Sequence, residues 1–164
     1  MDRLERRAEP LPDRRRIPRG GRRVTDRPGK SPRLLIADSY AAARVPCARY
    51  LALFNFHVDE AQDGIDALAR LEIDPPDVLL IEQELPAIDP FRLKQRLRRA
   101  EGRQSIPMIV LSGSLPSGGH DGLKDRDGVL LKPFPLASMI EEIRRVIRSR
   151  DLLPSVAPDH HPIV

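Results

Sequence analysis

Pro76-Asp77-Val78-Leu79-Leu80-Ile81-Glu82 is the stretch that decides the fold. The unbroken apolar run from Val78 to Ile81 leaves no side for water. It therefore reads as a strand covered on both faces, the habit of parallel sheets. It stops at a carboxylate, Glu82. Working outward, Leu34-Leu35-Ile36-Ala37 stops in the same way at Asp38, Met108-Ile109-Val110-Leu111 at Ser112, and Val129-Leu130-Leu131 at Lys132. Phe56 to Ala61 supplies a further short strand. Amphipathic stretches separate these runs, and that alternation predicts an α/β fold, a doubly wound parallel sheet of five strands with helices on both faces.

The helices are read from apolar spacing. Ala41 to Phe54 is the first, expected to start late or kink because Pro46 lies inside it and an interior proline costs about 3 kcal/mol. Gly64 to Glu72 is the second, with Ile65, Leu68 and Leu71 assigned to its inner face. Phe91 to Ala100 is the third, with Leu93 and Leu97 inward and five basic residues elsewhere. The last carries Leu136, Met139, Ile140, Ile143, Val146 and Ile147 on one stripe, and Glu141, Glu142, Arg144, Arg145 and Arg148 on the other. Between Gly113 and Gly128, five glycines and Pro116 break any helical face of useful length, and mostly loop is expected.

At 164 residues the chain fits one domain with tails. Three regions are expected: a basic arm over 1–32, a domain over 33–150 and a C-terminal tail over 151–164. The arm holds ten arginines and one lysine against five acids, a net of +6, while the remainder carries −2. With its prolines, its glycines and no apolar period, the arm is expected to be disordered. No apolar run approaches the roughly 18 residues that would span a bilayer, and no secretory leader is visible, so a cytoplasmic location is the default. A lone Cys47 offers neither a disulfide nor a zinc spacing, and a small buried side chain is its expected role.

Ligands of open parallel sheets sit beyond the carboxyl ends of the strands. The residues there are Asp38, Ser39, Glu82, Ser112 and Lys132, so two carboxylates, two hydroxyls and an ammonium are expected at one edge. With Ala61-Gln62-Asp63-Gly64, Leu85-Pro86-Ala87-Ile88-Asp89, Pro107 to Gly113 and Leu131-Lys132-Pro133-Phe134 in this order, the chain resembles the CheY-like receiver domains of two-component response regulators.

The resemblance implies a flavodoxin-like receiver fold and a phosphorelay role. In that family an aspartate after the third strand accepts a phosphoryl group, with magnesium bridging it to acids after the first. Carried across, Glu82 stands at the phosphoacceptor position, and Asp38 and Ser39 at the acidic pair, so the metal set is Asp38, Ser39 and Glu82. Ser112 is the switch hydroxyl and Lys132 the phosphate-site lysine, while Val129 takes the place of the switch aromatic.

Three departures weaken one mechanism. Glutamate pushes its oxygens outward by about one C–C projection, ~1.3 Å, and misplacement on that scale costs about a hundredfold in a positioned reaction. Ser39 removes a unit charge, a gross attraction of about 4 kcal/mol per unit of ion charge at ~4 Å. Magnesium binding is thus weakened rather than abolished, and no cofactor is required. Val129 lacks the ring that reports phosphorylation in the family. From Ser112 to Lys132 is 20 positions, about two fewer than the family usually has, so its fourth helix is expected to be shortened or absent.

The implied function is a stand-alone, atypical receiver, a pseudo-receiver that is not an enzyme. It would act by protein–protein contact with a histidine kinase or a downstream target. Glu82 then either pairs with Lys132 as a relic or mimics a phosphoryl charge. The alternative is a nucleic-acid-associated protein whose arm, through Arg14, Arg15, Arg16, Arg19, Arg22 and Arg23, tracks phosphates, with the receiver fold as scaffold or dimeriser. A third reading keeps weak phosphorylation by a dedicated kinase. Asp159-His160-His161 lacks a third placed ligand, and His57 and His120 are expected to be ordinary.

Overall fold

The computed structural model describes residues 31–99, 106–114, 123 and 127–152. In chain order the elements are β1 (Arg33–Ala37), α1 (Ala41–Leu53), β2 (His57–Ala61), α2 (Gly64–Ile73), β3 (Val78–Glu82), α3 (Pro90–Arg99), β4 (Met108–Ser112), β5 (Gly128–Leu131) and α4 (Leu136–Leu152). All strands run parallel in the order β2-β1-β3-β4-β5. Among the described residues no helix lies between β4 and β5, and positions 115–122 and 124–126 fall outside them.

Period-two side-chain placement divides the sheet between two cores. Leu35, Leu79, Ile81, Met108 and Val110 pack on one face with Ala67 and Leu71 of α2 and Leu93 and Leu97 of α3. Leu34, Ile36, Leu80, Ile109 and Leu111 pack on the other with Leu51 of α1 and Met139, Ile143 and Val146 of α4. Fully burying a side chain of this size contributes about 1.5–3 kcal/mol. The continuous apolar runs of the sequence are thus explained, because each alternate residue has its own core.

Several expectations are corrected. α1 begins at Ala41 and continues through Pro46 rather than starting late. The bond Pro46 forfeits is the one to the Ala42 carbonyl, and both residues are exposed, so water can serve that oxygen. Ile65 does not face inward: it is 63% exposed, and α2 buries Gly64, Ala67 and Leu71 instead. In α3 Lys94 joins Leu93 and Leu97 as a buried residue. Leu136 and Ile147 of the α4 stripe are only half-buried, as are Glu142 and Arg145 of its opposite face. Cys47 is half-buried rather than buried.

Two helix starts are chemically specified. Asp63 accepts from the amides of Ile65 and Asp66 at 2.9 and 2.8 Å, and Asp89 accepts from those of Phe91 and Arg92, both at 3.0 Å. Such caps contribute about 1 kcal/mol each. Pro90 opens α3, where its missing amide costs no helical bond. These starts lie at the carboxyl edge of the sheet, one after β2 and the other after β3, the strand that carries Glu82.

Candidate functional site

β1 leads through α1 to β2 on one side, and the chain then returns past it to β3 on the other. The crevice of the sheet therefore opens between the carboxyl ends of β1 and β3, the place where open α/β sheets bind ligands. Asp38 follows β1 and Glu82 closes β3, so register alone brings the two carboxylates to this crevice.

Lys132 joins them from the end of β5. Its Nζ donates to Glu82 Oε2 at 2.5 Å and lies 3.7 Å from Asp38 Oδ2. Asp38 is buried, and its Oδ1 accepts from the Tyr40 amide at 2.8 Å, which fixes the turn into α1. Arg44 Nη1 donates to the Asp38 carbonyl at 2.5 Å while its Nε reaches Glu60 Oε2 at 3.0 Å. Burial raises the Glu82 carboxyl above its ordinary value, the neighbouring Asp38 adds to the rise, and Lys132 opposes it without cancelling it. Burial works against the Lys132 charge, but Glu82 and Asp38 outweigh it and hold the ammonium above its usual range. The Cys47 thiol is also pushed up, by burial first and then by the charge of Asp38.

Ser112 closes β4 and is fully buried. Its hydroxyl contacts the side-chain amide of Gln83 and the carbonyl oxygen of Ser114, and accepts from the Ser114 amide at 3.1 Å. The Lys132 amide donates to the Ser112 carbonyl at 2.7 Å. The expected convergence thus holds for Asp38, Glu82 and Lys132, while Ser112 is engaged with Gln83 and Ser114. Ser39 is exposed beside the crevice. Val129 pairs with Val110 and packs partly on the core that α2 and α3 cover.

Sequence reasoning missed Gln83, Arg44 and the buried pair of Lys94 with Asp127. Gln83 was detectable in principle, because the pairing of Glu82 with Leu111 places the next residue, Gln83, beside Ser112. Arg14, Arg15, Arg16, Arg19, Arg22, Arg23, His120, Asp159, His160 and His161 lie outside the described residues.

The donor set for magnesium is poorer than the one the family resemblance implies. Two carboxylates remain where the family resemblance implies three, and a lysine ammonium already lies against both. Among the described residues no group of three His, Cys, Asp or Glu is placed to hold a metal ion.

A five-stranded parallel sheet in this order, with carboxylates after β1 and β3, a hydroxyl after β4 and a lysine after β5, defines a receiver of the two-component type. The chain belongs to the response regulator receiver domain family, whose description it matches over residues 34–144. It is 31% identical over 128 residues to the DNA-binding dual master transcriptional regulator RpaA of Synechocystis sp., covering 77% of this chain and 53% of that protein. It is 28% identical over 137 residues to the response regulator MprA of Mycobacterium ulcerans, covering 79% and 56%. The chain thus spans about half the length of these curated relatives. Among solved structures it resembles the chemotaxis response regulator CheY4 of Vibrio cholerae, with a TM-score of 0.65, 21% identity and coverage of 71% and 99%. The receiver domain of a Pseudomonas aeruginosa sensor histidine kinase, solved with magnesium in its active-site cleft, gives the same score and identity over 72% and 98%. These last two likenesses speak to the fold alone.

Proposed function

We propose that this receiver signals by protein–protein contact and that ordinary phosphotransfer is not its switch. The contact of Lys132 with Glu82 at 2.5 Å and with Asp38 at 3.7 Å carries this reading. An ammonium bound to both carboxylates neutralises the crevice internally and competes with a cation for the same oxygens. Glu82 takes the phosphoacceptor position, but its oxygens are displaced by one methylene and tied to Lys132. Magnesium binds weakly, because a single divalent ion gains little from two acids whose charge is already partly neutralised. The partner is a histidine kinase or a downstream target protein, as expected for a member of this family.

Incubation with acetyl phosphate and magnesium, followed by intact mass, tests the reading. The native chain should gain no phosphoryl mass, and the Ser39→Asp/Glu82→Asp variant should gain one acid-labile group. Stoichiometric modification of the native chain at Glu82 would overturn the proposal. A second reading, contact with nucleic acid through the N-terminal arm, is favoured by the +6 of residues 1–32. The DNA-binding description of the Synechocystis relative adds to it.

A further inference from the structure

We infer that Gln83 is a positioning residue that locks the Ser112 hydroxyl, and with it the only hydroxyl buried at the crevice among the described residues. The inference rests on the receiver reading of the site above and says why its hydroxyl is silent. A serine hydroxyl has one proton to give and two lone pairs with which to accept. Ser114 N–H occupies one lone pair, at 3.1 Å. The Gln83 amide end and the Ser114 carbonyl oxygen both close on the same oxygen. One proton cannot make a full hydrogen bond to two acceptors at once.

Chemistry resolves the conflict. The Ser114 carbonyl can only accept, whereas the two ends of a glutamine amide exchange by a half turn, so Gln83 can present its NH2 instead. The arrangement that satisfies every group has Ser112 donating to Ser114 O while Gln83 Nε2 and Ser114 N both donate to Ser112 Oγ. The hydroxyl is then saturated, in a residue with no solvent exposure to supply water as a substitute. The backbone enforces this, since the Gln83 amide donates to the Leu111 carbonyl at 2.9 Å and so pins Gln83 beside Ser112. An oxyanion arriving near Glu82 and Lys132 finds no free donor at Ser112 unless the hydroxyl turns away from the Ser114 carbonyl, a turn resisted by Gln83 and the Ser114 amide as donors to its oxygen.

The test reads the Ser112 side chain in the full chain, with no phosphodonor present. Hα–Hβ couplings measured by NMR should report a single Ser112 rotamer in the native protein. In Gln83→Leu they should average over rotamers, and Ser114 amide exchange should quicken about tenfold, while the amide shifts of β1 and β3 stay in place. Unchanged couplings in a folded Gln83→Leu chain would overturn the lock. Gln83→Glu covers a leucine variant that does not fold. A carboxylate keeps the shape but cannot donate when ionised, so it should take the Ser112 proton from Ser114 and make the Ser114 carbonyl shift depend on pH. A Ser114 shift that is independent of pH in Gln83→Glu likewise overturns it. Phosphorylation of Glu82 would instead appear as a mass gain, so failure of the site reading is scored separately.

Discussion

Glu82 holds a charge that its surroundings oppose. Burial is the largest cause, Asp38 is the second source of the rise, and Lys132 offsets only part of it. The folded carboxyl therefore binds its proton more tightly than the unfolded one. Between the ordinary glutamate value and the raised one, folding takes up a proton, so the stability contributed by Glu82 falls as pH rises through that window. Thermal melts of the native chain and Glu82→Gln across mildly acidic pH should show the native chain losing ground to the variant as pH increases. A gap that moves the other way would contradict the assigned environment. A second single-residue effect lies in the β3–α3 connection, where Ala87 has φ of 71°. That left-handed geometry costs an L-residue about 1–2 kcal/mol and glycine almost nothing. Ala87→Gly should raise the stability measured in urea by about 0.5–1 kcal/mol once the greater freedom of unfolded glycine is subtracted. A lower midpoint would show that the exposed turn relaxes without strain.

At the scale of elements, the clearest anchor is a buried ion pair. Lys94 of α3 donates to Asp127 Oδ1 at 2.7 Å and to the Ile106 carbonyl at 3.0 Å, and the same Asp127 oxygen accepts the Met108 amide at 2.8 Å. Arg145 of α4 holds the Asp127 carbonyl at 2.7 Å. One cluster thus ties α3, the start of β4, the start of β5 and α4. Lys94→Met should cost about 3–5 kcal/mol, because it takes the Lys94 ammonium away from a buried carboxylate. Adding Asp127→Leu should recover only part of this in urea denaturation, since the Met108 amide then loses its acceptor at about 1–3 kcal/mol. Full recovery would mean that the amide finds another partner. This pair was not legible in the sequence: Lys94 sits in a basic helix, and its partner lies 33 positions away. Ile65 was misread for a different reason. Apolar spacing rewards large residues, but α2 approaches the β3–α3 connection so closely that a Cβ on Gly64 would fall 2.6 Å from Ile88 Cβ and 2.7 Å from its carbonyl oxygen. Small Gly64 and Ala67 therefore define the inner face, and Ile65 turns to solvent. Gly64→Ala should be destabilising by about 1–3 kcal/mol, because backbone must move to admit the methyl. The strands and their terminal residues were legible, by contrast, because a run buried on both faces has to end where its cover ends. Asp38, Glu82 and Lys132 mark those ends.

For the whole molecule, the deciding quantity is how charge is divided along the chain. Residues 1–32 carry +6 and the remainder −2. A polyanion therefore meets attraction at one end and weak repulsion over the rest, whatever the receiver does. Each phosphate neutralised by the arm releases condensed counterions, so duplex binding should fall with a slope of about −0.9 per contact on a log–log salt plot. The arm has no aromatic residue to stack on unpaired bases, so the attraction argued for it is that of charge for phosphate. The full chain should bind duplex DNA at low salt and lose it steeply as salt rises, while a chain beginning at Ser31 should show little binding at any salt. The slope also counts the phosphates engaged: a value near −5 would mean that about half of the eleven basic residues take part, and a value near −1 would mean a glancing contact. Equal binding by the two chains would move the nucleic-acid surface onto the receiver domain and remove the arm from this role.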